Sequence, residues 1–326
     1  MRTKAFFYIA QFLRKIFRNF SAVIIKKNVY DEILDQRNKA LLEIISFERQ
    51  KLSKGLEGVV FSKDRPLQLY TLLETYNNLV ENPVKLTVIY NASTKKYDEA
   101  YRKVFSLLRG RKTNFSFIKE SQSFKLTLNS ILRRIKIRNI FFLVDDIIFI
   151  RKIDLSLAAS LDTKQYILSL RHSPHLKRSY TSNMEQKPPR LNYSKNYRDM
   201  REFYWFEEKN EWSNPYSVDG HIMSLAEIYA ISRVSSYSGP NSFEYAISSF
   251  NALCISKQGL CYNESKILNL PINRVQNESK NKSGFISTNY LLKKWNKNMS
   301  IDTSFFNNYI PQATHEEHSI KFKKLN

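Results

Sequence analysis

The stretch that decides the fold is Ile140-Phe141-Phe142-Leu143-Val144-Asp145-Asp146, an unbroken apolar run followed directly by two carboxylates. A strand that is apolar along its whole length is typical of a sheet covered on both faces. Two adjacent carboxylates repel each other, so we expect a positive group or a hard divalent cation beside them. The alternative is an ordinary turn or helix cap, because Asp is common in both.

Upstream of this run, short β-rich segments alternate with amphipathic segments. We predict strands at 58–62, 86–90, 114–118 and 140–144, and helices at 67–79, 96–108 and 124–135. This alternation predicts an α/β fold with a mostly parallel sheet and helices on both faces. Such sheets bind ligands outside the carboxyl ends of their strands. We therefore expect binding residues at 62–65, 91–93, 119–121 and 145–146.

Composition excludes several classes of protein. The chain has 326 residues and is 42% hydrophobic, which is enough for a full core and excludes a disordered protein. Seven glycines include no glycine-rich phosphate loop, and two cysteines cannot form a disulfide framework or a Cys-based zinc site. No apolar run approaches the roughly 20 residues that a membrane-spanning helix needs.

Over residues 60–150 the pattern resembles the GT-A glycosyltransferases, most closely those of the family 2 type. Phe61–Arg65 fills the place of the segment that holds the nucleotide base in that family. Asn129 lies sixteen residues before Asp145, as a helical Asn does in the family. Asp145-Asp146 resembles the Asp-x-Asp motif, although here the two acids are adjacent rather than two residues apart.

The resemblance implies a GT-A-like, Rossmann-like fold and a nucleotide-sugar donor. It implies donor binding by six residues: Ser62, Asp64, Arg65, Asn91, Asn129 and Asp145. It also implies a divalent cation, Mn or Mg, held by Asp146 and by a His from the C-terminal region, for which His315 is the candidate. An exposed polar tail is the alternative for His315. We expect residues 56–150 to form the nucleotide-sugar half and residues 151–326 the acceptor half of one domain.

Two acids of the second half are candidates for the general base that removes a proton from the acceptor hydroxyl. Glu244 follows Gly239-Pro240 in the first turn of a predicted helix, and Asp219 precedes Gly220. A base at either position would predict direct displacement with inversion. The alternative for Glu244 is a first-turn glutamate that stabilises the helix dipole.

The first 27 residues form a basic leader with seven Lys or Arg and no acid. If helical, they place a basic face opposite an apolar, Phe-rich face, which favours binding along an anionic membrane surface. Packing on the protein's own core is the alternative. Residues 28–55 are predicted as a connecting helix. With two free thiols, the leader predicts a peripheral protein on the cytoplasmic face of a membrane, where a glycan or lipid-linked acceptor would be met.

The net charge of +22 raises a different class of function, a nucleic-acid-binding protein. The basic residues are spread over the leader, residues 171–201 and the tail, and no nucleic-acid module is recognisable, so a nucleic-acid partner is not expected. A nucleotidyltransferase is a closer alternative, because paired acids also position metals for phosphoryl transfer. The third alternative is an inactive scaffold of the same fold, because the Asp-x-Asp motif is incomplete.

Overall fold

The computed structural model describes residues 25–50, 52–273, 275 and 284–325. The strands are β1 (Ser53–Lys63), β2 (Val80–Glu81), β3 (Leu86–Asn91), β4 (Phe115–Lys119), β5 (Ile137–Val144), β6 (Ile147–Phe149), β7 (Ile153–Asp154), β8 (Tyr166–Ser169), β9 (Arg178–Ser179), β10 (Met184–Glu185), β11 (Asn192–Tyr193), β12 (Met200–Tyr204), β13 (His221–Ser224), β14 (Gln258–Tyr262), β15 (Ile267–Asn269), β16 (Met299–Ile301) and β17 (Phe322–Lys324). The α-helices are α1 (Lys27–Glu48), α2 (Pro66–Leu79), α3 (Lys95–Leu108), α4 (Phe124–Arg134), α5 (Ser156–Ser160), α6 (Leu225–Val234), α7 (Pro240–Ser248) and α8 (Thr288–Asn296).

Nine of these strands form one sheet in the order β11-β12-β14-β8-β13-β5-β1-β3-β4. Strands β5, β1, β3 and β4 are parallel neighbours, as are β8 and β14, whereas β13 runs antiparallel to both β5 and β8. Strand β12 also runs antiparallel to its neighbours β11 and β14, so seven of the nine strands point in one direction. The mostly parallel sheet and the fold class predicted from the sequence are confirmed. The four predicted strands and three predicted helices of residues 58–135 and 140–144 are all present.

Strand β1 is longer than its sequence pattern predicted. It begins at Ser53 rather than at residue 58, because Ser53 already pairs with Ile137 of β5. Helix α1 ends at Glu48. The connecting helix is therefore shorter than predicted, because its expected last residues, up to residue 55, include the start of β1.

Alternate residues of the central strands enter two separate hydrophobic cores. Val59, Phe61 and Phe142 pack against α4, α6 and α7 on one face. Val60 and Phe141 pack against α2 and α3 on the other. This two-residue period of a strand covered on both faces explains why every position of 140–143 is apolar. Cys254 and Cys261 are buried free thiols.

Helix α1 packs against α6 through the C-terminal half of its length. The rings of Phe47 and Tyr229 lie 4.7 Å apart, and Ala40 is buried in the same core. Large apolar side chains nearer the N-terminus of the helix, including Val29 and Ile33, are about 40% exposed. The predicted basic leader lies outside the described residues as far as residue 24. Of the helices within the described ranges, none combines the length and hydrophobicity required to cross a bilayer.

The C-terminal segment returns to the edge of the sheet beside Asp146. Strand β15 pairs antiparallel with β6, which directly follows Asp146, and His315 pairs with Asn269 at the end of β15. Backbone hydrogen bonds from Asn269 to Thr314 and from Glu316 to Asn269 fix this register. His315 is thereby held near the two acids although it lies about 170 residues away in sequence.

Candidate active site

A cavity of about 450 Å³ opens at the carboxyl ends of β1, β3 and β5. Parallel pairing brings these ends together, because Lys63 is in register with Asn91 and Phe61 with Val144. Eight of the ten predicted site residues line this cavity. They are Ser62, Arg65, Asn91, Asp145, Asp146, Asp219, Glu244 and His315.

The first group in the cavity is the acid pair of residues 145 and 146 with the guanidinium of Arg65. Arg65 Nη1 lies 2.7 Å from Asp145 Oδ1 and 3.7 Å from Asp146 Oδ2. The backbone N–H of Lys63 donates to Asp145 Oδ2 over 3.2 Å, so both oxygens of Asp145 are engaged. Burial raises the pKa of Asp146 to about 7, against the opposing effect of Arg65.

Arg65 is held in place from its other side by Asn273. Its Nε donates to Asn273 Oδ1 over 2.8 Å, and its Nη2 donates to the backbone carbonyl of the same residue. Gln68 Nε2 donates to Asn273 Oδ1 over 3.3 Å, and Asn273 Nδ2 donates to the carbonyl of Ile286 over 3.0 Å. Asn273 was not predicted as a site residue, because no local pattern shows that its segment crosses the start of α2.

The second group in the cavity joins Asp219 to a buried arginine. Arg171 Nη1 donates to Asp219 Oδ2 over 2.7 Å, and both side chains are less than a tenth exposed. Arg171 lies two residues beyond the carboxyl end of β8. It was not predicted, because β8 was not predicted; with that strand known, the rule that binding residues follow strand ends would have pointed to Arg171. In this pair the charge of each side chain neutralises the charge of the other. If one partner were removed, the remaining buried charge would destabilise the folded protein.

His315 completes this group, and a chain of hydrogen bonds determines which of its nitrogens carries the proton. Its Nε2 lies 3.6 Å from Asp219 Oδ2. Its Nδ1 lies 3.0 Å from Thr314 Oγ1, and Thr314 Oγ1 donates to Glu211 Oε2 over 3.1 Å. Since the single hydroxyl proton of Thr314 goes to the carboxylate, the hydroxyl must accept from His315 Nδ1–H. The neutral imidazole therefore presents the lone pair of Nε2 to the cavity, and burial lowers the pKa of His315, with Asp219 opposing.

Glu244 lies one turn into α7 and contacts the segment that carries Asp219. Ser217 Oγ donates to Glu244 Oε1 over 2.6 Å, and the Val218 N–H donates to the same oxygen over 3.2 Å. Both donors are neutral, whereas Asp219 has a guanidinium beside it. Burial, followed by the negative charge of Asp219, raises the pKa of Glu244 above its usual value. Through its two hydrogen bonds, the Glu244 carboxylate is held by the segment that carries Asp219.

The remaining predicted residues differ in their distance from the cavity. Ser62 lines it and shares a 2.7 Å hydrogen bond with the hydroxyl of Tyr101. Asp64 does not line it, because its Oδ1 accepts from the N–H of Ser93 and ties together the loops after β1 and β3. Asn129 also lies outside it, where its Oδ1 accepts from Ser232 Oγ on α6. The structure brings neither of these two side chains to the site.

A divalent cation requires several oxygen or nitrogen ligands arranged around one point. Within the described ranges, no three His, Cys, Asp or Glu side chains form such a group. Asp145 has both oxygens engaged, and Asp219 is already neutralised by Arg171. The residues present therefore do not fit a preformed site for the predicted cation at Asp146 and His315.

No protein-family model matches the chain, and no curated protein is significantly similar to it in sequence. Among solved structures, residues 1–349 of TarS from S. aureus align with a TM-score of 0.41 and 12% identity, covering 65% of this chain and 59% of that one. The mannosyltransferase PcManGT from Pyrobaculum calidifontis, in complex with GDP-Man and Mn2+, aligns with a TM-score of 0.29 and 13% identity over 43% of this chain and 45% of that one. The 4-diphosphocytidyl-2C-methyl-D-erythritol synthase of Anaerococcus prevotii aligns at 0.38 and 11% identity over 65% of this chain and 89% of that one.

These similarities concern the α/β fold alone. The chain spans less than two thirds of the length of the first two structures.

Proposed function

We propose that the protein is a glycosyltransferase that moves a sugar from a nucleoside-diphosphate sugar to an acceptor hydroxyl. The observation that carries the proposal is that one cavity contains both the Asp145, Asp146 and Arg65 group and the Glu244 carboxylate. Open α/β sheets bind ligands at this edge. The cavity volume of about 450 Å³ is within the range of roughly 300–1,000 Å³ that is usual for small-molecule sites.

The reaction is a direct displacement at the anomeric carbon. The acceptor oxygen forms a bond to that carbon on the face opposite the diphosphate, and the bond from the carbon to the diphosphate oxygen breaks. The electron pair of the broken bond leaves with the nucleoside diphosphate, and the hydroxyl proton passes to Glu244. Attack from the opposite face inverts the anomeric configuration. Lys63, Arg65 and Arg171 line the cavity and are the positive groups that could stabilise the leaving diphosphate.

Glu244 is a better candidate for the base than Asp219. Asp219 Oδ2 already accepts a hydrogen bond from the guanidinium of Arg171 over 2.7 Å, so this carboxylate oxygen is occupied by a charged donor. Glu244 has only neutral donors, Ser217 Oγ and the Val218 N–H, and burial raises its pKa toward the working range of a general base. Asp219 then acts as a neighbouring charge that favours proton uptake by Glu244.

The donor is expected to contact Ser62, Asn91 and Asp145 at the ends of β1, β3 and β5. Asp64 contributes indirectly by fixing the loop that follows β1. The acceptor is proposed to be a glycan or lipid-linked molecule at the cytoplasmic face of a membrane. Support for this part comes from the basic leader in the sequence and from the exposed apolar residues of α1.

The donor proposal is tested with the purified full-length chain and a panel of UDP, GDP, CMP and TDP, followed by nucleotide sugars of the nucleotide that binds. We expect one nucleotide to raise the melting temperature, and Asp145→Asn to abolish the shift. Glu244→Gln should bind the same nucleotide but release nucleoside diphosphate from the sugar donor about 10²–10⁴-fold more slowly. Glu99→Gln, at an exposed position on α3, is the matched control. Failure of every nucleotide to bind would refute the proposal.

The membrane part is tested separately by vesicle flotation. We expect the chain to float with vesicles that contain phosphatidylglycerol and not with pure phosphatidylcholine vesicles. Replacement of Arg14, Lys15 and Arg18 by Ala should abolish flotation. The control replaces three exposed basic residues of α3 and its end by Ala: Lys95, Lys96 and Arg109. Equal loss in both triple variants would mean that net charge, and not the leader, governs binding.

A further inference from the structure

We infer that Arg65 occupies the place of a divalent cation at the acid pair, so that the site binds its diphosphate ligand without a metal. The part that concerns the cation depends only on the contacts of Arg65. The part that concerns the diphosphate rests on the proposed function.

Each oxygen of the acid pair already faces a hydrogen-bond donor or the guanidinium of Arg65. Asp145 Oδ1 accepts from Arg65 Nη1 and Asp145 Oδ2 accepts from the Lys63 N–H. On Asp146, Oδ2 faces the same guanidinium nitrogen at 3.7 Å and Oδ1 accepts from Asn269 Nδ2 over 3.4 Å. A hard cation takes about six ligands, and here it would first have to displace the guanidinium.

Arg65 is not a mobile side chain that a metal could easily displace. Its Nε and Nη2 both donate to Asn273, which is itself anchored by Gln68 and by the carbonyl of Ile286. The side chain of Arg65 is only 10% exposed. Moving it would break three hydrogen bonds and leave Asn273 Oδ1 with one weaker donor. The guanidinium is therefore a fixed part of the site, and an arginine keeps its charge at every physiological pH.

The charge balance agrees with this role. One guanidinium faces two carboxyl groups, so the three side chains carry a formal charge of −1 at most. A dication gains much less from such a group than from two unneutralised carboxylates. A planar guanidinium also matches the oxygens of a phosphate group, so the charge that neutralises the acids is suited to meet a diphosphate as well.

In the first test, the nucleotide-free, full-length protein is titrated with Mn2+. The electron paramagnetic resonance signal of the free ion measures how much Mn2+ remains unbound. We expect no saturable binding to the wild-type chain below about 1 mM. Arg65→Met removes the guanidinium at similar length and should create one saturable site, which is lost again in Arg65→Met/Asp146→Asn. Arg151→Met is the matched control, because Arg151 is also paired with an acid, Glu264, but lies outside the cavity.

Two results would overturn the inference: saturable Mn2+ binding by the wild-type chain that Asp146→Asn removes, or a folded Arg65→Met chain that gains no site. Should Arg65→Met fail to fold, the wild-type titration still decides, together with nucleotide affinity in EDTA and in Mn2+. We expect the two affinities to agree within about threefold, and a tenfold gain with Mn2+ would contradict the inference. If no nucleotide binds under either condition, the proposed function fails while the Mn2+ result stands.

Discussion

Ser217 Oγ donates a hydrogen bond of 2.6 Å to Glu244 Oε1, and the same Ser217 oxygen accepts from the N–H of Asp219. One serine thus links the Glu244 carboxylate to the backbone of Asp219, the other acid that the sequence offered as a base. It stabilises the charged form of Glu244, while burial and Asp219 oppose that form. The raised pKa of Glu244 is therefore due first to burial and then to the negative charge of Asp219.

The first prediction concerns the pH profile of the transferase. A base must be deprotonated, so activity should fall as the pH drops through the pKa of Glu244. Because that pKa is raised, the acid limb of kcat/KM should lie above the usual glutamate value of 4.5. Ser217→Ala removes a donor to the charged form and should move the limb to still higher pH. Glu244→Gln should lower kcat by about 10²–10⁴-fold and leave donor binding intact. A limb that Ser217→Ala leaves in place would exclude Glu244 as the group that titrates.

The second prediction concerns the buried pair of Arg171 and Asp219. Arg171→Met leaves an uncompensated buried carboxylate and should lower the free energy of unfolding by about 3–5 kcal/mol. Arg171→Met/Asp219→Asn should recover much of this loss, since no unpaired charge remains. Urea denaturation of the two single variants and the double variant forms a cycle that gives the coupling energy. A coupling energy near zero would show that the pair is not formed in solution.

The third prediction concerns the proton on His315. The Thr314 hydroxyl, held by Glu211, should fix the neutral imidazole with its proton on Nδ1. Nitrogen-15 NMR of the imidazole should show this tautomer at pH 7, because burial lowers the pKa of His315. Thr314→Val should allow both tautomers. A proton found on Nε2 in the wild-type chain at neutral pH would instead mean that His315 donates to Asp219.

The fourth prediction concerns Gly220, which directly follows Asp219. Its φ is +73°, and an added Cβ would lie 2.3 Å from Ile267 Cδ1. Gly220→Ala should therefore cost both backbone strain and a steric clash. Gly110 has a φ of +76° with nothing within 4 Å of an added Cβ, so Gly110→Ala measures the strain alone. We expect Gly110→Ala to cost about 1 kcal/mol and Gly220→Ala about 1–3 kcal/mol more, as measured by urea denaturation. Equal losses in the two variants would show that Ile267 moves aside.

Much of the fold was predictable from local patterns. The apolar run 140–144 and its alternation with amphipathic segments predicted the strands and helices of the first half, because burial on both faces of a parallel sheet requires those patterns. The strand-end rule predicted Ser62, Arg65, Asn91 and the two acids, since parallel neighbours end at one edge. Asn129, which the family resemblance implied and the strand-end rule did not, lies outside the cavity and accepts a hydrogen bond from Ser232 of α6.

The sequence by itself determined the α/β class, the carboxyl edge of the sheet as the position of the site, and the acids that would need a positive partner. Only the tertiary structure decided which partner each acid has: Arg65 for Asp145, Arg171 for Asp219, and neutral donors for Glu244. Arg65 and Asp145 are 80 residues apart in sequence, Arg171 and Asp219 are 48 apart, and Ser217 and Glu244 are 27 apart. The physical reason is that burial and hydrogen bonding depend on how distant segments cross one another, and no local period in the chain encodes those crossings.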